Sequence, residues 1–116
     1  MKKMVKGRTL GRSSSHKKAL FRNLLNALIK YGRIETTTAK AKELRPYAEK
    51  VITRAKVDNA HNRAIAAKYL SEKAALVKLF KEIGPKYQSQ KGGYLRILKK
   101  GVRLSDSAAI SLIEFV

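Results

Sequence analysis

Ten cations stand between residues 1 and 34 without a single acid: Lys2, Lys3, Lys6, Arg8, Arg12, Lys17, Lys18, Arg22, Lys30 and Arg33. A second acid-free run, residues 83–105, holds Lys86, Lys91, Arg96, Lys99, Lys100 and Arg103. Residues 35–82, between them, mix eleven basic with six acidic side chains. A solvated surface ordinarily interleaves both signs. Ammonium and guanidinium groups at this density neutralise phosphates and release counterions, which gives affinity without base reading. The whole chain carries 27 Lys and Arg against 8 Asp and Glu, a formal charge of +19 over 116 residues. That excess works against a compact chain unless a polyanion offsets it. The chemistry on offer is binding of nucleic acid.

Catalytic chemistry has little to work with. The histidines are His16 and His61, and the aspartates are Asp58 and Asp106. Ser13, Ser14 and Ser15 precede His16, but adjacency in sequence is not a triad geometry. His16, in the first turn of a basic helix, suits capping or phosphate contact. His61, three residues after Asp58, suits a local hydrogen bond. There is no Cys, no ligand spacing of a metal site and no Gly-rich phosphate loop. The expectation is a chain that is not an enzyme, with no cofactor, no metal and no small-molecule substrate. A nucleic-acid enzyme would need carboxylates or His among the cations, and residues 1–34 offer only His16.

Three places look suited to RNA. The first is the basic N-terminus with the start of the first helix: Lys2, Lys3, Lys6, Arg8, Arg12, His16, Lys17, Lys18 and Arg22. The second is Lys40, Lys42 and Arg45, about one helical turn apart beside Thr36 and Thr37. The third is Lys91, Arg96, Lys99, Lys100 and Arg103. Gly92 and Gly93 lie between Tyr87 and Tyr94. They fit either a plain loop before a strand or close approach of backbone to RNA. The tyrosines could stack on an unpaired base, although Tyr94 fits better as a strand residue in the core.

These groups need a scaffold. Residues 1–13 read as an extended basic arm, broken by Gly7 and Gly11, that orders against a partner. Ser14 or Ser15 can cap a helix starting near His16. Its residues Leu20, Phe21, Leu24, Leu25, Leu28 and Ile29 cover about half the circumference, opposite Arg22, Asn23, Asn26 and Lys30. Gly32 ends it, and Arg33 to Thr37 is a short strand. Thr37 or Thr38 caps a second helix to about Val57, in which Pro46 either kinks the helix or starts a new one. Asp58 or Asn59 caps a third helix to about Leu70, packing through Ala60, Ala64, Ile65 and Ala67. Ser71 caps a fourth, through Leu76, Leu79, Phe80 and Ile83, stopped by Gly84-Pro85. Strands follow at Tyr94 to Lys99 and Ile110 to Val116. The latter is apolar on both faces, Ile110 and Leu112 on one, Ile113 and Phe115 on the other, as an inner strand would be. The order predicts a single α+β domain over 14–116: about four helices on a short sheet of about three strands. Its core is expected to hold Phe21, Leu24, Leu28, Leu44, Val51, Phe80 and Ile113. No apolar run reaches ~18 residues, so no membrane helix is expected, and no signal-peptide core marks the chain for export.

Four motifs in order carry a resemblance. Gly7-Arg8, Leu10, Arg12, Ser14-Ser15-His16 and Arg22-Asn23 form the first. Thr36-Thr37 with Lys40-Ala41-Lys42-Glu43-Leu44-Arg45 form the second. Leu79-Phe80, Glu82, Gly84-Pro85, Gly92-Gly93-Tyr94 and Arg96-Ile97-Leu98-Lys99 form the third. Asp106, Ala108 and Ile113-Glu114-Phe115-Val116 end the series. Together they resemble the family of the bacterial large-subunit ribosomal protein number seventeen. Gly11, Leu95 and Ser105 depart from its usual Asn, Thr and Gly. The resemblance implies a structural constituent of the large ribosomal subunit, in the cytoplasm. It implies binding to large-subunit ribosomal RNA near the polypeptide exit, beside neighbouring ribosomal proteins, with no membrane and no catalysis. From charge alone, a duplex-DNA-binding protein is the rival. Two basic stretches at opposite ends suit wrapping into folded RNA better than docking in one groove.

Overall fold

The computed structural model describes residues 14–116. The predicted arm, with Lys2, Lys3, Lys6, Arg8 and Arg12, lies outside the described residues. The elements run α1 (Ser14–Tyr31), β1 (Arg33–Thr37), α2 (Thr38–Ala55), α3 (Ala60–Ala67), α4 (Lys73–Lys78), a π-helical segment (Leu79–Ile83), α5 (Gly84–Lys86), β2 (Leu95–Val102) and β3 (Ala109–Phe115). Helix α4, the π segment and α5 form one continuous rod, so the described residues make four helical rods and a three-stranded antiparallel sheet, with α1 and α2 against the sheet and the other rods packed on α1 and α2.

The sheet order is β1-β3-β2, so the strand that is apolar on both faces is the inner one, as its pattern predicts. Cross-strand partners share a face. Ile34 pairs with Ile113 and Ile97 pairs with Ile113 from the other side, while Lys99 pairs with Ser111. Ile113 and Ser111 are fully buried, so this is the helix-facing side. The outer side carries Arg33, Glu35, Leu98, Leu112, Glu114 and Arg96. Strand β2 runs past the predicted end at Lys99, because a bulge between Lys99 and Gly101 absorbs one residue and Gly101 takes φ +123°.

Helix α1 is central, touching β1, α2 and α4. It starts at Ser14, two residues before the expected start near His16. Gly32 (φ +84°) ends it as expected, its N–H bonded to the carbonyl of Leu28. Leu24 is only partly buried and Asn26, assigned to the polar strip, is buried. The cause is packing on several sides: Asn26 donates to Ser71 Oγ (2.6 Å) across to the segment before α4. That bond also occupies Ser71. The residue before α4 is Glu72, which makes no side-chain cap, so the predicted Ser71 cap is not formed. The other expected core residues, Phe21, Leu28, Leu44, Val51, Phe80 and Ile113, are buried together.

Helix α2 is capped by Thr37, whose side chain accepts from Lys40 N (3.4 Å), and runs unbroken through Pro46. Pro46 and Lys42 are both exposed, so water can serve the Lys42 carbonyl that the missing N–H leaves free. Asn59 caps α3 (Asn62 N to Asn59 Oδ1, 2.8 Å). That helix ends at Ala67 and buries Asn62 and Ala66, not Ala60, Ala64 and Ala67, which are exposed. A run of alanines gives no sharp apolar stripe from which to fix the face. Gly84-Pro85 does not stop the fourth rod. The helix passes into the π register first, with Gly84 N bonding to the carbonyl of Leu79, and Pro85 then sits in the first turn of α5, where an N–H is dispensable. Gly84 is needed there because a Cβ would overlap the carbonyl of Ala55 on α2.

Candidate nucleic-acid interface

The cations predicted on α2 and around β2 divide between two surfaces. On the helix side of the sheet, Lys42 and Arg45 of α2 meet Lys99 of β2 along a groove completed by Pro46, Glu49 and Ile97. Past Pro46 and Glu49 a second cleft continues along α2, where Lys50, Thr53 and Arg54 face Asn62 and Ile65 of α3, Tyr69, and Lys91-Gly92 before β2. Glu49 is the single acid among the residues lining both. Lys42, Pro46, Lys50 and Arg54 follow one another at i, i+4 on α2, which puts them on one ridge. The sequence reading singled out Lys42 and missed Lys50 and Arg54; that spacing was the available signal.

On the outer side of the sheet the predicted cations are already paired. Arg96 Nε lies 2.6 Å from Glu114 Oε2, and Lys100 Nζ lies 3.0 Å from Glu35 Oε2 across the width of the inner strand. Arg103 grips Asp106 with two bonds (3.0 and 2.8 Å) in the β2–β3 turn. The Arg103 bonds, helped by the Ala108 N–H, hold the Asp106 carboxyl down to about 2. Strands alternate the direction of their side chains, so neighbours in sequence part company here. Lys99 enters the groove, and Lys100, the bulge residue, joins the paired face.

The described members of the first predicted cluster, His16, Lys17, Lys18 and Arg22, lie on α1. His16 and Lys18 are exposed, and Lys17 stands 5.9 Å over the Phe21 ring. Arg22 is half-buried and donates to the carbonyl of Lys68 after α3 (3.4 Å). Its charge reaches Tyr47, whose hydroxyl burial nevertheless pushes up. The rings of Phe21, Tyr47 and Tyr69 stand in a row (5.6 and 4.9 Å between centroids) that links α1 to the cleft. Lys40, in the first turn of α2, is half-buried.

Tyr94 is fully buried and packs 5.2 Å from Tyr87, so these rings are core, not a platform for a base. The bond expected between His61 and Asp58 is replaced: Asp58 takes two bonds from Arg63 (2.5 and 2.8 Å), which lower its carboxyl below the usual range. Among the described residues no three His, Asp or Glu side chains gather to hold a metal. No described helix is long and apolar enough to cross a membrane.

Comparison with known proteins agrees with this picture. The family model described as Ribosomal protein L17 matches residues 20–116. The large ribosomal subunit protein bL17 of Sphingopyxis alaskensis is 51% identical over 95% of this chain and 79% of its own length. That of Trichlorobacter lovleyi is 50% identical over 95% of this chain and 89% of its own length. That of Thermodesulfovibrio yellowstonii is 46% identical over the whole chain and 87% of its own length. These are names of ribosomal proteins, a structural class and not an enzymatic one. With the match spanning nearly the whole chain, the basic α+β protein described here belongs to the ribosomal protein L17 family.

Proposed function

We propose that this chain is a structural constituent of the large ribosomal subunit that binds large-subunit ribosomal RNA. The observation that supports this most is the open groove of Lys42, Arg45 and Lys99, continuing to Lys50, Arg54 and Lys91 with Glu49 as its only acid. Such a surface neutralises successive phosphates of a strand without reading its bases. Residues His16, Lys17, Lys18, Arg22 and Lys40 add further phosphate contacts on α1 and at the start of α2. The arm, residues 1–13 with Lys2, Lys3, Lys6, Arg8 and Arg12, forms a second attachment beside the 14–116 domain. Arg96, Lys100 and Arg103 are secondary, because each holds an acid. A position near the polypeptide exit and contacts with neighbouring large-subunit proteins rest on the family resemblance. In a bacterium the chain would work within the ribosome, in the cytoplasm.

A filter-binding titration of the full chain on large-subunit ribosomal RNA tests the reading. With ~6–10 phosphates neutralised, affinity falls by several decades between low and moderate salt. A flat salt dependence, or equal affinity for duplex DNA of the same length, would count against it.

A further inference from the structure

The cleft between α2, α3 and the 91–93 loop is roomier than phosphate contact requires. Its volume, about 890 Å³, is in the range of small-ligand sites. Its lining is of two kinds. Pro46, Ile65 and Tyr69 give an apolar and aromatic wall, while Lys50, Arg54 and Lys91 bring three cations against the one acid, Glu49.

Several of these groups are fixed in advance. The Tyr69 ring meets Tyr47 edge to face at 4.9 Å and 79°. Arg54 Nη1 donates to Asn62 Oδ1 (3.4 Å), and that amide is itself oriented by Asn62 Nδ2 bonding to the carbonyl of Val57 (2.8 Å). Gln90 Nε2 donates to the carbonyls of Gly92 (2.9 Å) and Gly93 (3.0 Å), and Lys56 donates to the carbonyl of Gln90, so the loop is tied from both sides. A Cβ on Gly92 would meet nothing within 4 Å, so the backbone there is open to an incoming group.

A lone phosphate has no use for an aromatic wall, and an apolar ligand has none for three cations. A nucleotide uses both: its base stacks on the ring and its phosphates meet the cations. A base held in a duplex cannot reach such a wall. We propose that this cleft takes one unstacked nucleotide of single-stranded RNA, its base against Tyr69 and Ile65 and its flanking phosphates on Lys50, Arg54 and Lys91. The proposal rests on the RNA-binding function above and adds what that function does not require, a preference for an unpaired nucleotide. A free mononucleotide shares the chemistry but brings phosphate on one side only, which leaves part of the cation set unused.

The test uses the full chain with a mixed-sequence single-stranded RNA carrying 4-thiouridine, a duplex RNA of the same length, and uridine monophosphate as competitor. Irradiation is expected to crosslink the single strand to the peptide holding Tyr69 or to the one holding Lys91 to Tyr94. Gly92→Leu, which fills open space, and Tyr69→Leu, which removes the ring, should each weaken single-strand binding by about 5- to 20-fold while changing duplex binding less than about twofold. Circular dichroism of Gly92→Leu should match the parent. The proposal is overturned if both variants hold the single strand as the parent does and the crosslinks fall elsewhere. Displacement of the RNA by a modest excess of uridine monophosphate would overturn it in favour of a mononucleotide site. Loss of all RNA binding by the parent chain would instead remove the broader function, and with it this one.

Discussion

Lys99 and Lys100 are adjacent in sequence and belong to different surfaces. Lys99 closes a groove with Lys42 and Arg45, whereas Lys100 crosses the outer face of the sheet to Glu35. The same division holds on the larger scale. Along α2 the cations outnumber the single acid Glu49 that lines the grooves, and across the sheet Arg96 and Lys100 each have a carboxylate. The Lys100–Glu35 pair is about half exposed at both ends, where an ion pair contributes only about 0–1 kcal/mol to stability, whereas the Glu114 side chain that Arg96 holds is mostly covered. A cation already holding a carboxylate has less to gain from a phosphate. Net charge points to a polyanion, and strand register decides which cations face the groove and which hold carboxylates.

The largest effect should come from reversing the groove. Lys42→Glu, Arg45→Glu and Lys99→Glu combined are expected to weaken RNA binding by about 100-fold or more at moderate salt and to flatten its salt slope. Combined Arg96→Gln, Lys100→Gln and Arg103→Gln should cost less than about 5-fold. Equal losses from the two sets would erase the distinction between the surfaces.

Next is the scaffold that both surfaces share. Gly84→Ala puts a methyl group into the carbonyl of Ala55, behind the α2 ridge. Thermal melts should show a loss of about 2–4 kcal/mol, the scale of overpacking and backbone displacement. Leu28→Ala, fully buried in α1, should cost about 2–5 kcal/mol. Leu24→Ala should cost less, since Leu24 is only partly buried.

Releasing the paired cations sharpens the comparison from the other side. Glu35→Gln frees Lys100, and RNA affinity should rise by about two- to threefold at low salt, with the melting temperature almost unchanged because both ends of that pair are about half exposed. A tenfold rise would mean that the outer face binds RNA as readily as the groove once unmasked.

The smallest effect is in the β2–β3 turn. The folded Asp106 carboxyl titrates near 2 and the ordinary one near 3.8. A depressed carboxylate contributes stability that is present above the ordinary value and is lost as pH falls through the folded one. Between about pH 4 and 2 the Arg103–Asp106 clasp should therefore open, with amide exchange at Ser107 and Ala108 speeding up by a few-fold in the parent and not in Asp106→Asn. Exchange that is insensitive to pH in the parent, after correction for intrinsic rates, would show that the clasp does not order the turn.

Much of this architecture was legible in residue patterns. The apolar positions of α1 and α2, the Thr37 and Asn59 caps, Gly32 after α1 and the two-faced inner strand all act over a few residues, where spacing is informative. What was missed depends on contacts distant in sequence. Asn26 is polar by type and buried because Ser71, 45 residues away, receives its amide. Gly84-Pro85 reads as a stop, yet the close approach to Ala55 and a shift of helical register carry the chain through it. In the candidate site the cations were legible as cations. Their division into two surfaces was not, because it follows from a bulge and from carboxylates on other strands. Lys50 and Arg54 were overlooked although their spacing from Lys42 is regular, since the partners that give them meaning, Lys91 and Tyr69, sit on other elements.

Lysine footprinting tests the central claim most directly. Acetylation rates of each lysine would be measured by mass spectrometry for the full chain alone and bound to protein-free large-subunit ribosomal RNA. Lys42, Lys50, Lys91 and Lys99 should be protected by about tenfold or more on binding, while Lys100, one residue from Lys99 and on the paired face, should change less than about twofold. Protection of Lys100 equal to that of Lys99, with Lys42 and Lys50 left reactive, would contradict the assignment of the RNA to the α2 groove.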